Sequence, residues 1–113
     1  MDPVLIVEEQ LQAYNARDLD RFAATYSQDI VIYRLPALEP AIVGMAKLRE
    51  VYAGRFSSPN LHATIVKRIV LGNKVIDHER VVGIKDTPIE AVAVYEVEGG
   101  LIGKVWFFYP EGR

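Results

Sequence analysis

LHATIVKRIVLGNKVIDHERVVGI, residues 61–84, decides the fold. Before this stretch apolar residues recur at helical spacing; from Leu61 onward the period falls to two. Leu61–Leu71 reads as a strand, and Gly72-Asn73 as a two-residue hairpin turn in which the glycine takes a positive φ. Lys74–Ile84 reads as the return strand. Inside it stand four ionisable residues in a row, Asp77-His78-Glu79-Arg80, between Val75-Ile76 and Val81-Val82. Successive side chains of a strand point to opposite faces, so Asp77 and Glu79 share one face and His78 and Arg80 the other. Whichever face meets the interior carries two ionisable groups into low dielectric. That is unfavourable unless they are paired or work in a cavity.

Toward the C-terminus the two-residue period continues. Asp86-Thr87-Pro88 turns the chain, Ile89–Val97 is a strand, Glu98-Gly99-Gly100 turns it again, and Leu101–Tyr109 is the last strand. The tail Pro110–Arg113 is expected to fray. Toward the N-terminus the pattern is helical. Gly44 precedes a helix running to about Phe56, with Leu48, Val51, Tyr52 and Phe56 on its apolar face. Pro36 and Pro40 mark a loop after a short strand, Ile30–Arg34. Asp18 caps a short helix whose Leu19, Phe22, Ala23 and Tyr26 share a face, ended by Ser27-Gln28-Asp29. Asp2 and Pro3 open the first helix, with Val4, Val7, Leu11 and Tyr14 as its stripe and Arg17-Asp18 as its break. The order α-α-β-α-β-β-β-β is an α+β pattern. It predicts one domain over residues 1–113: three helices packed on a curved antiparallel or mixed sheet around a cone-shaped pocket.

Composition narrows the class. The chain has 113 residues, half of them hydrophobic, enough for one packed core. A net charge of -2 with no basic stripe argues against nucleic acid. The absence of cysteine excludes disulfides and thiolate metal sites and is compatible with a reducing cytoplasm. No apolar run is long enough to span a membrane, and Met1-Asp2-Pro3 lacks a signal-peptide start. A cytoplasmic location is therefore expected. No phosphate-cradling glycine loop, nucleophile elbow, zinc-protease motif or dinucleotide fingerprint occurs, so no cofactor is expected.

Four segments resemble the nuclear transport factor 2-like superfamily, in its polyketide-cyclase-like (SnoaL-like) and ketosteroid-isomerase-like branch. They are Ala13-Tyr14-Asn15-Ala16-Arg17-Asp18-Leu19, Tyr26-Ser27-Gln28-Asp29, Gly44 through Tyr52, and Gly103-Lys104-Val105-Trp106-Phe107-Phe108. Their order and spacing carry the resemblance, which covers nearly the whole chain. It implies a cystatin-like α+β roll, and homodimers formed through the outer sheet face. Such folds host isomerases, hydrolases, cyclases and binding domains. Ketosteroid isomerases use an Asp base with a Tyr and a protonated Asp as oxyanion donors. By resemblance those positions fall at Arg34 or Leu35, near Gln10 and near Ala93, so none is kept. The limonene-epoxide-hydrolase arrangement needs an acid near Val81, which this chain lacks. The family register turns Val75, Asp77, Glu79, Val81 and Gly83 toward the pocket and leaves His78 and Arg80 outside.

The candidate catalytic pair is therefore Glu79 and Asp77. Two carboxylates on one strand face raise each other's pKa, and one can then act as a general base near neutral pH. Alternatively, both pair with Arg or Lys at a surface or dimer contact. Arg34, after Tyr33 at the end of its strand, is placed to orient a carboxylate or pair with Glu79; the alternative is a surface ion pair. Tyr14, Tyr52, Tyr95 and Trp106 are candidates for an aromatic pocket with polar tips, or for ordinary core packing. His62 joins Tyr33 among the candidate substrate contacts. With only His62 and His78 present, no metal site is expected. Two functions follow: a small cofactor-free acid–base enzyme acting on a small apolar or aromatic molecule, or a non-catalytic ligand-binding or dimerisation domain.

Overall fold

Two helices lead into the sheet and are set by their caps. The structure is a computed structural model and describes residues 2–110; of the expected frayed tail, Glu111-Gly112-Arg113 lie outside the described residues. The Asp2 carboxylate accepts a hydrogen bond from the Val4 amide (2.9 Å), and Pro3 opens α1 (Pro3–Ala16), where its missing N–H does no harm. Arg17 ends α1 in the left-handed conformation (φ 54), with the Asp18 amide donating back to the Ala13 carbonyl (3.1 Å). Asp18 then caps α2 (Leu19–Ala23) by accepting from the Arg21 amide (3.1 Å). The helix stops sooner than its apolar stripe suggests. The buried Thr25 hydroxyl donates to the Phe22 carbonyl, and Tyr26 already pairs with Ile102 as the first residue of β1 (Tyr26–Arg34).

A two-residue strand, β2 (Ile42–Val43), escapes sequence reading because it is too short to show a period. Then follow α3 (Met45–Arg55), β3 (His62–Leu71), β4 (Lys74–Val82), β5 (Ile89–Glu98) and β6 (Leu101–Phe108). The hairpin at Gly72-Asn73 forms as expected, with Leu71 opposite Lys74 and Gly72 at φ 59. The return strand ends two residues early, at Val82, because Gly83 takes φ +93 and presses against the backbone of Asn60 and Leu61.

The expected cone-shaped, strongly curved sheet does not form. The six strands make one open mixed sheet in the order β2-β1-β6-β5-β4-β3, with β1 and β6 parallel and every other pair antiparallel. Both ends of that order are free edges, and the short β2 offers β3 nothing to close onto. The pocket is enclosed by helices lying over the inner face. α1 packs against β3, β4 and β6, and α3 against β1, β2 and α2. Val7, Phe22, Ile30, Ile32, Leu48, Ile102 and Val105 are fully buried between the layers. Phe22 also packs its ring on Tyr52 (4.6 Å), Tyr26 (5.0 Å) and Phe56 (5.2 Å). Burial of such rings supplies much of the apolar driving force.

The segment around Tyr14 locks α1 to the β3 edge. The Asn15 side chain accepts from the Ala63 amide (2.7 Å) and donates to the Ala63 carbonyl (3.0 Å), so it pairs with the strand as another strand does. Arg17 donates to the Leu61 carbonyl (3.2 Å).

Candidate active site

One extra residue in β3 builds the floor of the site. Ile65 lies opposite Glu79, yet Lys67 rather than Val66 lies opposite His78; the ladder carries a bulge at Val66. Beyond the bulge every β3 side chain is moved by one place, so Arg68 faces Asp77 on the inner side of the sheet. Its guanidinium grips the Asp77 carboxylate with two bonds, 2.6 and 2.9 Å, and donates a third to Glu8 of α1 (2.9 Å). Asp77 is 1 % exposed, so this pair is what makes its burial tolerable. The two anionic partners push the Arg68 guanidinium further into its protonated range, with the Asp77 hydrogen bonds the largest cause.

Glu79 differs from its neighbour two residues back. It points to the same inner face, beside Ala91 of β5, yet among the described residues it makes no hydrogen bond or ion pair. Its carboxyl borders a cavity of about 210 Å³. Burial pushes its pKa up to about 7, Asp77's charge adds to the rise, and the Arg55 guanidinium opposes it.

The rest of the wall comes from every layer. Gln10, Leu11 and Tyr14 come from α1, Tyr52 and Arg55 from α3, Arg34 from β1 and Tyr95 from β5. Arg34 pairs with Tyr109 rather than Glu79: its Nη1 donates to the Tyr109 hydroxyl (2.7 Å), and the guanidinium lies over the Phe107 ring (5.4 Å). Arg55 lies over the Tyr52 ring (5.7 Å) and donates to the Tyr14 hydroxyl at a long 3.4 Å. Burial raises Tyr14 to about 12 and Tyr52 and Tyr95 above their ordinary range, so all three keep their phenolic protons at neutral pH. A hydroxyl that accepts from a guanidinium has its own proton free for a third group.

Six of the residues singled out in the sequence, Asp77, Glu79, Tyr14, Arg34, Tyr52 and Tyr95, meet at this cavity. Tyr33, Trp106 and His62 do not line it. Tyr33 and Trp106 alternate with inner-face residues, so they stack on each other on the outer face (6.2 Å, 7° between planes). His62 is exposed opposite Val82 on that same face. His78 is there too, 2.6 Å from Glu90. Four polar wall residues were not among the candidates: Gln10, Arg55, Lys85 and Tyr109. Arg55 stands at the polar end of a helix and Tyr109 at the end of a strand, and nothing in the local pattern separates them from solvated residues. Among the described residues no three His, Asp or Glu side chains converge in a way that could hold a metal.

The chain belongs to the SnoaL-like domain family, whose sequence model matches residues 7–105. No curated protein matches it. Among solved structures it is similar to a cystatin-fold protein of Novosphingobium aromaticivorans: 26% identity, TM-score 0.85, covering 95% of this chain and 97% of that one. It is similar in fold to a candidate polyketide cyclase of Sinorhizobium meliloti (17% identity, TM-score 0.79, 95% and 99% covered). It is likewise similar to an LEH-like epoxide hydrolase of M. tuberculosis (18% identity, TM-score 0.78, 95% and 81% covered). Among the described residues no helix is long and apolar enough to cross a membrane.

Proposed function

We propose that this is a small cofactor-independent enzyme in which Glu79 moves a proton to and from carbon next to a carbonyl group. One observation carries the reading: a carboxyl with no partner among the described residues, facing a cavity, with a pKa pushed up to about 7. A base is most useful when its pKa lies near the working pH. Ionised Glu79 takes the proton, the C–H electron pair becomes the C=C bond of an enolate, and the charge moves to oxygen. Arg55 and the Tyr14 hydroxyl are the nearby donors suited to that oxygen. Returning the proton to a different carbon completes an isomerisation; attack of the enolate carbon on a second carbonyl makes a ring. The cavity lies below the roughly 300–1,000 Å³ of drug-sized sites, which favours a small substrate with an apolar body. The family's range, from cyclases to epoxide hydrolases, is compatible with acid–base chemistry of this kind. Asp77, held by Arg68, serves as a fixed negative charge that tunes Glu79.

The test is exchange of hydrogen for deuterium beside the carbonyl of acetophenone and benzoylpropanoate in heavy water, followed by NMR. Exchange faster than buffer, falling about 10²- to 10⁴-fold in Glu79→Gln, is the expected result. No acceleration, or acceleration that survives Glu79→Gln, leaves the chain as a ligand-binding domain.

We further propose that the protein acts in the cytoplasm as a homodimer. The outer sheet face supports this, since it exposes Ile69, Val82 and Phe108 beside the Tyr33–Trp106 stack.

A further inference from the structure

Arg34, Arg55 and Lys85 stand on the cavity wall with two carboxylates, Glu79 and Asp77, of which Asp77 is already held by Arg68, a guanidinium it shares with Glu8. Lys85 is exposed, so the part-buried Arg34 and Arg55 are the wall cations that an enclosed anion meets. The two arginines are not equivalent. Arg55 acts on the Glu79 pKa, whereas Arg34 is not among its causes. The sheet explains why. Arg34 pairs with Phe107, Phe107 with Ala93, and Ala93 with Asp77, so β1 stands three strand spacings from β4, about 14 Å between backbones. The strand between them nearest Glu79 presents Ala91, whose methyl leaves the space open.

Arg34 is also prepared for a ligand. Among the described residues it has no acidic partner. Tyr109 takes one of its five N–H donors, and the Phe107 ring holds the plane of the fork. An ordered guanidinium with donors left over, at the end of a cavity remote from the base, matches a planar carboxylate.

We infer that the cavity takes a small organic acid whose carboxylate sits on Arg34 and whose apolar body spans Ala91 toward Glu79. The inference uses the cavity of the proposed function but concerns binding, which does not depend on turnover. In the catalytic reading, Arg34 anchors the charge that does not react and Arg55 meets the charge that develops.

The probes are benzoate and its neutral isostere benzamide, titrated into the wild-type protein and followed by amide-resolved NMR. Benzoate is expected to shift cavity residues and to bind about tenfold tighter, ~1.4 kcal/mol. Arg34→Met, which keeps the apolar stem over Phe107, is expected to abolish the preference. Arg34→Lys restores part of it, and Glu79→Gln leaves it in place while removing any exchange activity. Benzamide binding as tightly as benzoate, benzoate shifts confined to surface lysines, or no cavity shifts at millimolar benzoate each overturn the inference in the wild-type protein, without any variant having to fold. A preference that survives Arg34→Met overturns the assignment to Arg34. Exchange activity lost with the benzoate preference intact counts only against the catalytic reading.

Discussion

Glu79 couples the proposed chemistry to stability. Its folded pKa of about 7 stands above the ordinary 4.5, so the folded state holds its proton more tightly than the unfolded state. Stability from this group is fully present below pH 4.5 and is lost as pH rises through about 7. The loss is roughly 3 kcal/mol at about 1.4 kcal/mol per pH unit. Glu79→Gln is thus expected to be more heat-stable than wild type at pH 8 and to lose that advantage at acid pH, in paired thermal melts. Under the proposed mechanism the same proton sets the rate: exchange activity is expected to rise with pH and level off above about 7, and Asp77→Asn to move that rise toward acid by removing a negative neighbour. Arg68→Met leaves Asp77 buried without its partner and is expected to cost about 3–5 kcal/mol in denaturant unfolding. Adding Asp77→Asn should recover part of that loss.

At the scale of elements, legibility followed the strength of local signals. Gly72-Asn73 and the alternation around it placed the hairpin, and Asp2 and Asp18 placed two helix starts, because turn and cap chemistry act within a few residues. The bulge was not legible. Val66 suits either face of a strand, so no residue betrays the extra place, and alternation then assigns Arg68 to the wrong side of the sheet. The ion pair that decides the different fates of Asp77 and Glu79 was hidden with it. The open sheet was missed for a related reason, since closure depends on which edges meet and not on any one strand's pattern. Gly83 gives a direct test of element placement. A Cβ there sits 2.5 Å from the Asn60 carbonyl carbon, at a φ that side chains rarely adopt. Gly83→Ala is expected to lower the melting temperature, with about 1–3 kcal/mol lost to backbone conformation before the clash is counted.

For the molecule as a whole, the sheet sorts its residues into two territories. The inner face holds the cavity and its charges, while the outer face holds Tyr33, Trp106, Phe108 and the His78–Glu90 pair. Sedimentation at micromolar concentration should show a dimer, and Phe108→Glu should shift it toward monomer with the cavity unaltered; a wild-type monomer overturns the proposed assembly. The way α1 treats the β3 edge limits how copies can meet. Asn15 already occupies the outward amide and carbonyl of Ala63, and the extra residue at Val66 breaks the regular spacing that an incoming strand needs. At the other end, β2 offers only two residues. Both borders of the sheet are thus poor templates for an added strand, and under the proposed assembly that leaves the outer face, which can pair copies but not extend them into fibrils.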